Sequence, residues 1–338
     1  MHNSEKLRFH GRFAATALAV AVLLVFVLGG CTAKPSVGPG PEEVTQAADR
    51  LAVWLQQNVT HDGYEEDEFL SVIDNLYDWP QIGLSRYGAD GFPDYLPLTE
   101  KYISESWEEP DGFRKATDLE RLTLAISAAG GDAADIGGYD LIAALCNHSR
   151  FDMQGVNSPI FALIALDCKG YKVPAGAAWT REKMTERILE YRNDDGSFDL
   201  AGSGQGDVDI TAMVVQALWR YTENPEVKAT VQNAVIWLSK AQGEDGGYAS
   251  WGDVNSESAA QTIIALSALD IDVTTDTRFN KGDKNPLSFL LTYQKEDGGF
   301  CHILDSESDK MASEQAMLAL TAWLRMKNGQ PALYDYVE

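Results

Sequence analysis

Asp207-Val208-Asp209 is the segment of this chain best able to carry chemistry. Two carboxyls two residues apart, at the head of an apolar helix, can divide a task. One stays protonated in a dry cavity and donates its proton, while its neighbour tunes it through a hydrogen bond. Helix capping competes with that reading, because aspartate is among the preferred N-cap residues. Aligning Ala217-Leu218 with Ala125-Ile126 and Ala165-Leu166 sets Asp209 level with Thr117 and Asn157. Thr117 and Glu120 have the spacing of a capping box and Asn157 is a good cap, so the register favours capping at Asp209.

Weaker constellations surround this segment. Cys301-His302 supplies two zinc-type ligands where a site wants four, or three with a water. Asp253, Asn255 and Glu257 alternate oxygen ligands but lack the glycine and length of a calcium loop, so they read as a solvated loop with caps for the next helix. Gly202-Ser203-Gly204-Gln205-Gly206 mimics a phosphate-binding turn. Asp207 and Asp209 occupy the positive end of the helix that follows, and they would repel phosphate. That loop reads as a flexible lip of a cavity. The sequence carries no cofactor motif.

The elements that must position these residues form an internal repeat. Arg192-Asn-Asp-Asp-Gly-Ser-Phe198, Gln242-Gly-Glu-Asp-Gly-Gly-Tyr248 and Gln294-Lys-Glu-Asp-Gly-Gly-Phe300 each precede an alanine- and leucine-rich run. Ile210, Met213, Val214, Ala217 and Leu218 keep the spacing of one helix face. The same grammar appears at 118–129, at 157–167 and more weakly near 72–87. A second set of helices is predicted near 43–58, 94–107, 139–147, 180–192, 227–242 and 284–295, with Pro225 and Pro286 at helix starts. Glycine in each Asp-Gly turn suits the left-handed helix cap. Strand signals are nearly absent, so the class is all-α: six hairpins of two helices, stacked as a solenoid or closed as a ring.

Gln242-xxx-Gly246-x-Tyr248 and Gln294-xxx-Gly298-x-Phe300 resemble the Gln/Trp-type repeats of squalene–hopene and other terpene cyclases, and those of protein prenyltransferase β-subunits. Tyrosine and phenylalanine replace the usual tryptophan, and Arg192 replaces the first glutamine. The runs DVDITAMVVQAL, YASWGDVNSESAAQTIIAL, YQKEDGGF and ASEQAMLAL are similar to bacterial surface proteins with a prenyltransferase-like toroid. The resemblance implies an (α/α)6 toroid whose inner helices line a central cavity. In the cyclases an Asp-x-Asp-Asp motif lies where Asp207-Val-Asp209 does, and its middle aspartic acid protonates an alkene. Asp209 matches that acid and Asp207 the first position, while Ile210 replaces the last aspartate. A cation cascade also needs aromatic faces, for which Trp219, Trp251 and Trp323 are candidates, with Met213 on the same cavity wall.

Val208, Asp209, Ala212 and Met213 also resemble a Val-Asp-x-x-Ala-Met stretch in the helical domain of animal cobalamin carriers, which implies a corrinoid as an alternative ligand. The β-rich domain that completes those carriers has no counterpart here, so a partner or another copy would supply the second wall. Prenyl transfer fits less well. Prenyltransferases hold zinc through an Asp-x-Cys pair that this sequence lacks, and no DDxxD magnesium motif occurs.

Lys6, Arg8 and Arg12 precede an uncharged stretch from Phe13 to Gly30, which reads as a secretory signal peptide over residues 1–30, with an uncleaved membrane anchor as the other option. Leu28-Gly29-Gly30-Cys31 resembles the lipobox of bacterial lipoproteins, implying that Cys31 is lipidated. Residues 31–42 then form a Pro/Gly tether and 43–338 the toroid. An extracytoplasmic address would deprive an enzyme of soluble diphosphate substrates. The full chain has 338 residues, 45% of them hydrophobic, and a net charge of −24. Removing residues 1–30 takes away three basic residues and Glu5, leaving 24 basic against 50 acidic groups and a net charge of −26. Such acidity excludes an unaided nucleic-acid or anionic-membrane binder. Membrane contact would therefore run through the N-terminal lipid. Cys146 and Cys168 fall roughly 15 Å apart along one hairpin at 1.5 Å per residue, beyond disulfide reach, and are expected as buried free thiols.

Two functions follow as expectations. The first is a lipid-anchored module whose cavity binds an apolar or large planar ligand, isoprenoid or corrinoid, or else a surface protein partner. The second is a cyclase-like enzyme with Asp209 as general acid on a membrane-derived isoprenoid.

Overall fold

In the computed structural model, residues 38–59, 77–108 and 113–337 are described. The expected signal peptide, Cys31 and most of the expected tether lie outside them. Twelve α-helices occur among the described residues: α1 (Pro41–Asn58), α2 (Asp78–Tyr87), α3 (Tyr95–Ser106), α4 (Ala116–Ala128), α5 (Leu141–Cys146), α6 (Asn157–Cys168), α7 (Arg181–Glu190), α8 (Val208–Leu218), α9 (Pro225–Ala241), α10 (Ser256–Ala268), α11 (Pro286–Leu291) and α12 (Lys310–Lys327). Two three-residue strands, β1 (Tyr248–Ser250) and β2 (Asp253–Asn255), pair antiparallel and form the one small sheet described. No described helix is long and apolar enough to cross a membrane.

The even-numbered helices form an inner ring. α2 packs on α4, α4 on α6, α6 on α8, α8 on α10, α10 on α12, and α12 returns to α2. That last contact settles ring against solenoid. Inner helices are buried nearly all round: α10 buries every residue from Ser256 to Ser267. Outer helices bury one stripe, as in α1, where Val44, Ala47, Ala48, Leu51 and Leu55 face inward. Burial on all sides goes beyond the single apolar face that the spacing marks, because an inner helix has neighbours on every side.

The Asp-Gly turns close the ring. Gly196, Gly246 and Gly298 all have φ near +90°, and a Cβ on each would meet the outer helix of the next hairpin: Asn233 of α9, the Asn285 backbone at the start of α11, and the Arg50 backbone of α1. The third turn thus reaches back to the first helix. Gln294 donates to the carbonyls of Gly298 in its own turn and Ala47 in α1, and it accepts from Arg50. Gln242 likewise bonds the Gly246 carbonyl and that of Phe279. Arg192, in the glutamine slot of the first turn, reaches α9 through Thr230 at 2.8 Å. The turn aspartates Asp195 and Asp297 accept from Trp237 and Trp54 of the same outer helices. These turns serve the architecture, as their composition suggested.

Cys146, Cys168 and Cys301 are free and buried. Burial pushes the Cys146 thiol up to about 11 and the Cys168 thiol to about 12.

Candidate functional site

The site sits where the inner helices begin. After each turn the chain pairs back on itself before entering its inner helix. Asp207 N–H donates to the Phe198 carbonyl, and Asp309 N–H to that of Phe300; Tyr248 opposite Asn255 does the same through β1 and β2. Thr211 and Ser313 hydroxyls accept from the N–H of Phe198 and Phe300. Residues 199–206, 249–254 and 301–308 are the excursions these latches pinch off, and they form a rim.

Asp207, rather than Asp209, caps α8. Its Oδ1 accepts from Ile210 N–H at 3.0 Å, and its Oδ2 accepts from the Ser250 hydroxyl at 2.7 Å. The same position in α10 and α12 holds Asn255 and Asp309, which cap Ser258 and Ala312. The expected capping register is therefore two residues too late. Thr117 lies inside α4, where Asp118 accepts from Lys115 N–H instead, and Asn157 opens α6 without a side-chain cap bond. Alanine–leucine alignment fixes which helix face a residue lies on, but not where the preceding latch ends the loop.

Freed of capping, Asp209 presents its carboxyl to a cavity of about 810 Å³. Its Oδ1 is buried without a hydrogen-bond partner. Burial pushes its pKa up to about 6; Asp207 and Glu257 add repulsion, while Ser258 and Ser250 pull the other way. Val208, Ile210 and Met213 give the cavity an apolar floor, with Leu200, Trp237 and Trp251 beside it and Ser203, Gln205 and Ser250 at the edge. Trp251 is 92% exposed with φ +56°, so it stands on the rim.

Of the residues singled out in the sequence, Asp207, Asp209, Met213 and Trp251 meet here. Trp219 and Trp323 do not. Trp219 follows the far end of α8, where Arg220 lies over its ring at 4.7 Å. Trp323 is 1% exposed, near the far end of α12, with its indole N–H on Asp272. Sequence reasoning missed Trp237, because it belongs to an outer helix whose C-terminal end leans over the latch.

The glycine loop lines the cavity as expected of a lip. Asp199 organises it, accepting from the N–H groups of Ala201, Ser203 and Gly204. Those bonds outweigh desolvation and hold the Asp199 carboxyl below its usual range. Next to Asp209, Glu257 pairs with His302 Nδ1 at 2.9 Å, and this partner raises the His302 pKa. Cys301 turns away, its thiol on the Tyr293 carbonyl. Among the described residues no cluster of three or more potential metal ligands occurs.

Residues 99–301 and 230–333 match the prenyltransferase alpha-alpha toroid domain. Over 146 residues the chain is 25% identical to drimenyl diphosphate synthase from Streptomyces showdoensis, a stretch covering 43% of this chain and 27% of that enzyme. The chain thus spans about a quarter of the relative it matches. Among solved structures, Candida albicans protein geranylgeranyltransferase-I complexed with GGPP superposes with a TM-score of 0.57 at 13% identity, covering 83% of this chain and 91% of that one. Unsaturated glucuronyl hydrolase from Bacillus sp. GL1 gives 0.54 at 13% identity, covering 88% and 99%. These two likenesses are of fold, and they already join different chemistries on one ring. With the toroid domain matched across most of its length and the ring closed helix by helix, the chain belongs to the prenyltransferase alpha-alpha toroid family.

Proposed function

We propose that this protein is an isoprenoid-binding toroid, held on the extracytoplasmic face of the cell membrane through a lipid on Cys31. The observation that carries the reading is the cavity of about 810 Å³ with an apolar floor at the head of α8. Pockets of this size and lining suit a ligand of one apolar body and few polar contacts. The similarity to drimenyl diphosphate synthase supports an isoprenoid over a corrinoid. Mixing the purified protein with geranylgeraniol or cobalamin and weighing the complexes by native mass spectrometry tests this. A retained geranylgeraniol mass, lost on Met213→Lys, is expected; retention of cobalamin alone, or of neither, sinks the reading. For the anchor, Cys31→Ser should move the protein from the membrane fraction to the soluble one.

Catalysis is a second reading, favoured by Asp209 itself: a half-buried carboxyl, free of capping, with one oxygen buried and unpartnered and a pKa raised to about 6. In that reading its proton adds to an alkene carbon, and the carbocation is discharged when a neighbouring carbon loses a proton to the Asp209 carboxylate. The polar, open rim argues for binding first, because water entering past Trp251 would trap a cation. Conversion of geranylgeraniol by the wild type but not by Asp209→Asn would establish it. No product from either protein would leave binding alone.

A further inference from the structure

A second cavity, of about 240 Å³, opens at the same end of the ring and shares Leu200 with the first. It lies among α2, α4 and α6, lined by Trp79, Thr117, Glu120, Arg121, Asn157 and Phe161, with Gln154 at its side. Glu120 is 0% exposed, yet neither carboxyl oxygen has a hydrogen-bond partner. Asn157 Oδ1, on the facing helix, is also buried and unpartnered. Three orphan acceptors around one small cavity are costly, because a buried polar group forfeits its hydration with nothing in return. Such groups in a native fold call for an explanation, and a ligand is one.

The neighbours define its chemistry. Trp79 and Phe161 meet edge to face with ring centres 5.6 Å apart, a wall that favours a cation. Arg121, the local positive charge, is already held by Asp78 at 2.7 Å and Asp118 at 3.5 Å. A primary ammonium offers three N–H donors, which matches the three orphan acceptors of Glu120 and Asn157. The positive ends of α4 and α6 oppose a cation, but a helix-end dipole is a smaller effect than a buried carboxylate–ammonium pair.

We infer that this cavity is a second binding site, which takes a primary amine through Glu120 and Asn157 against the Trp79–Phe161 wall. It is separate from the Asp209 cavity and goes beyond the function proposed above. Bound amine would draw Glu120 into its ionised form, which burial with no ligand present opposes; Asp118 adds to that opposition, and Arg121 works against it.

Calorimetric titration of the protein with n-butylamine, and with n-butanol as the neutral isostere, tests the inference. Saturable heat with the amine and none with the alcohol is expected. Glu120→Gln should weaken amine binding at least about tenfold, as when one member of a buried charge pair is removed. Asp209→Asn should leave it unchanged. Because Glu120→Gln is isosteric, its circular dichroism and unliganded Tm report whether the fold survives. If it does not, Asn157→Leu serves as the second variant, with the same loss expected. Equal binding of amine and alcohol, no binding of the amine, or full amine binding by a folded Glu120→Gln or Asn157→Leu protein would overturn the site.

Discussion

Replacing Asp209 with asparagine should stabilise the protein at neutral pH and leave it unchanged in acid. Moving a carboxyl from its ordinary 3.8 to about 6 is worth about 3 kcal/mol. Burial is the main cause, with repulsion from Asp207 and Glu257 behind it. Between about pH 4 and pH 6 the folded protein holds a proton that the unfolded chain has released, so stability falls as pH rises through that window. Above it the whole cost is present; below it both states are protonated and the cost vanishes. Asparagine keeps the shape without the charge. For a domain near this size the gain corresponds to roughly 5 °C in Tm. Thermal and urea melts of both proteins at pH 4 and pH 7.5 read the effect directly. A variant no more stable than the wild type at pH 7.5, or one that gains equally at pH 4, would refute the reasoning. The first outcome would mean that Asp209 is solvated, the second that the gain comes from packing.

Asp207→Ala should lower stability by about 1–2 kcal/mol in urea, because it removes the α8 cap and orphans the Ser250 hydroxyl, whereas Asp207→Asn should retain most of the cap. Gly298→Ala forces a Cβ into the left-handed region, 2.9 Å from the Arg50 carbonyl; a loss of about 2 kcal/mol or more is expected, read as a fall in Tm. Cys146, Cys168 and Cys301, buried with raised pKa values, should resist a thiol reagent until the protein unfolds, and then react together.

Most of the ring was legible in the sequence and the floor of its sites much less so. The Asp-Gly turns announced the repeat, since glycine at positive φ leaves a composition signal, and the apolar runs announced which helices lie inside. The latch between Phe198 and Asp207 leaves no such signal, because it is made by backbone groups that every residue carries. Alignment of the apolar runs therefore sets the cap two residues late, at Asp209 instead of Asp207. Aromatic residues mislead for a related reason. Trp219 follows a run that lines the cavity and Trp323 lies in another inner-helix run, but both sit toward the ends of those runs away from the rim. Glu120 was legible as a residue and misread as a capping partner; only its depth in the ring shows that its carboxyl has nothing to bond.

The interior of the ring limits how a long ligand can lie. Gln216, two turns below Asp209 on α8, donates to Gln261 Oε1 on α10 at 2.8 Å, and Gln261 donates to Gln315 Oε1 on α12 at 3.0 Å. This amide ladder ties three of the six inner helices together beneath the carboxyls. Gln216 and Gln261 are buried, so an apolar chain threading between them would strip hydrogen bonds that no water could replace. An isoprenoid held at Asp209 would instead lie across the mouth, between the 199–206 lip and the β1–β2 hairpin, with its length read by Leu200 and Trp251. Leu200 also borders the Glu120 cavity, so the far end of such a ligand would point toward the second site rather than down the axis. On the proposed reading the amide ladder closes the depth of the ring, and ligand selection would fall to its mouth, where the 199–206 and 249–254 loops, rather than the repeats that hold them, line the cavity.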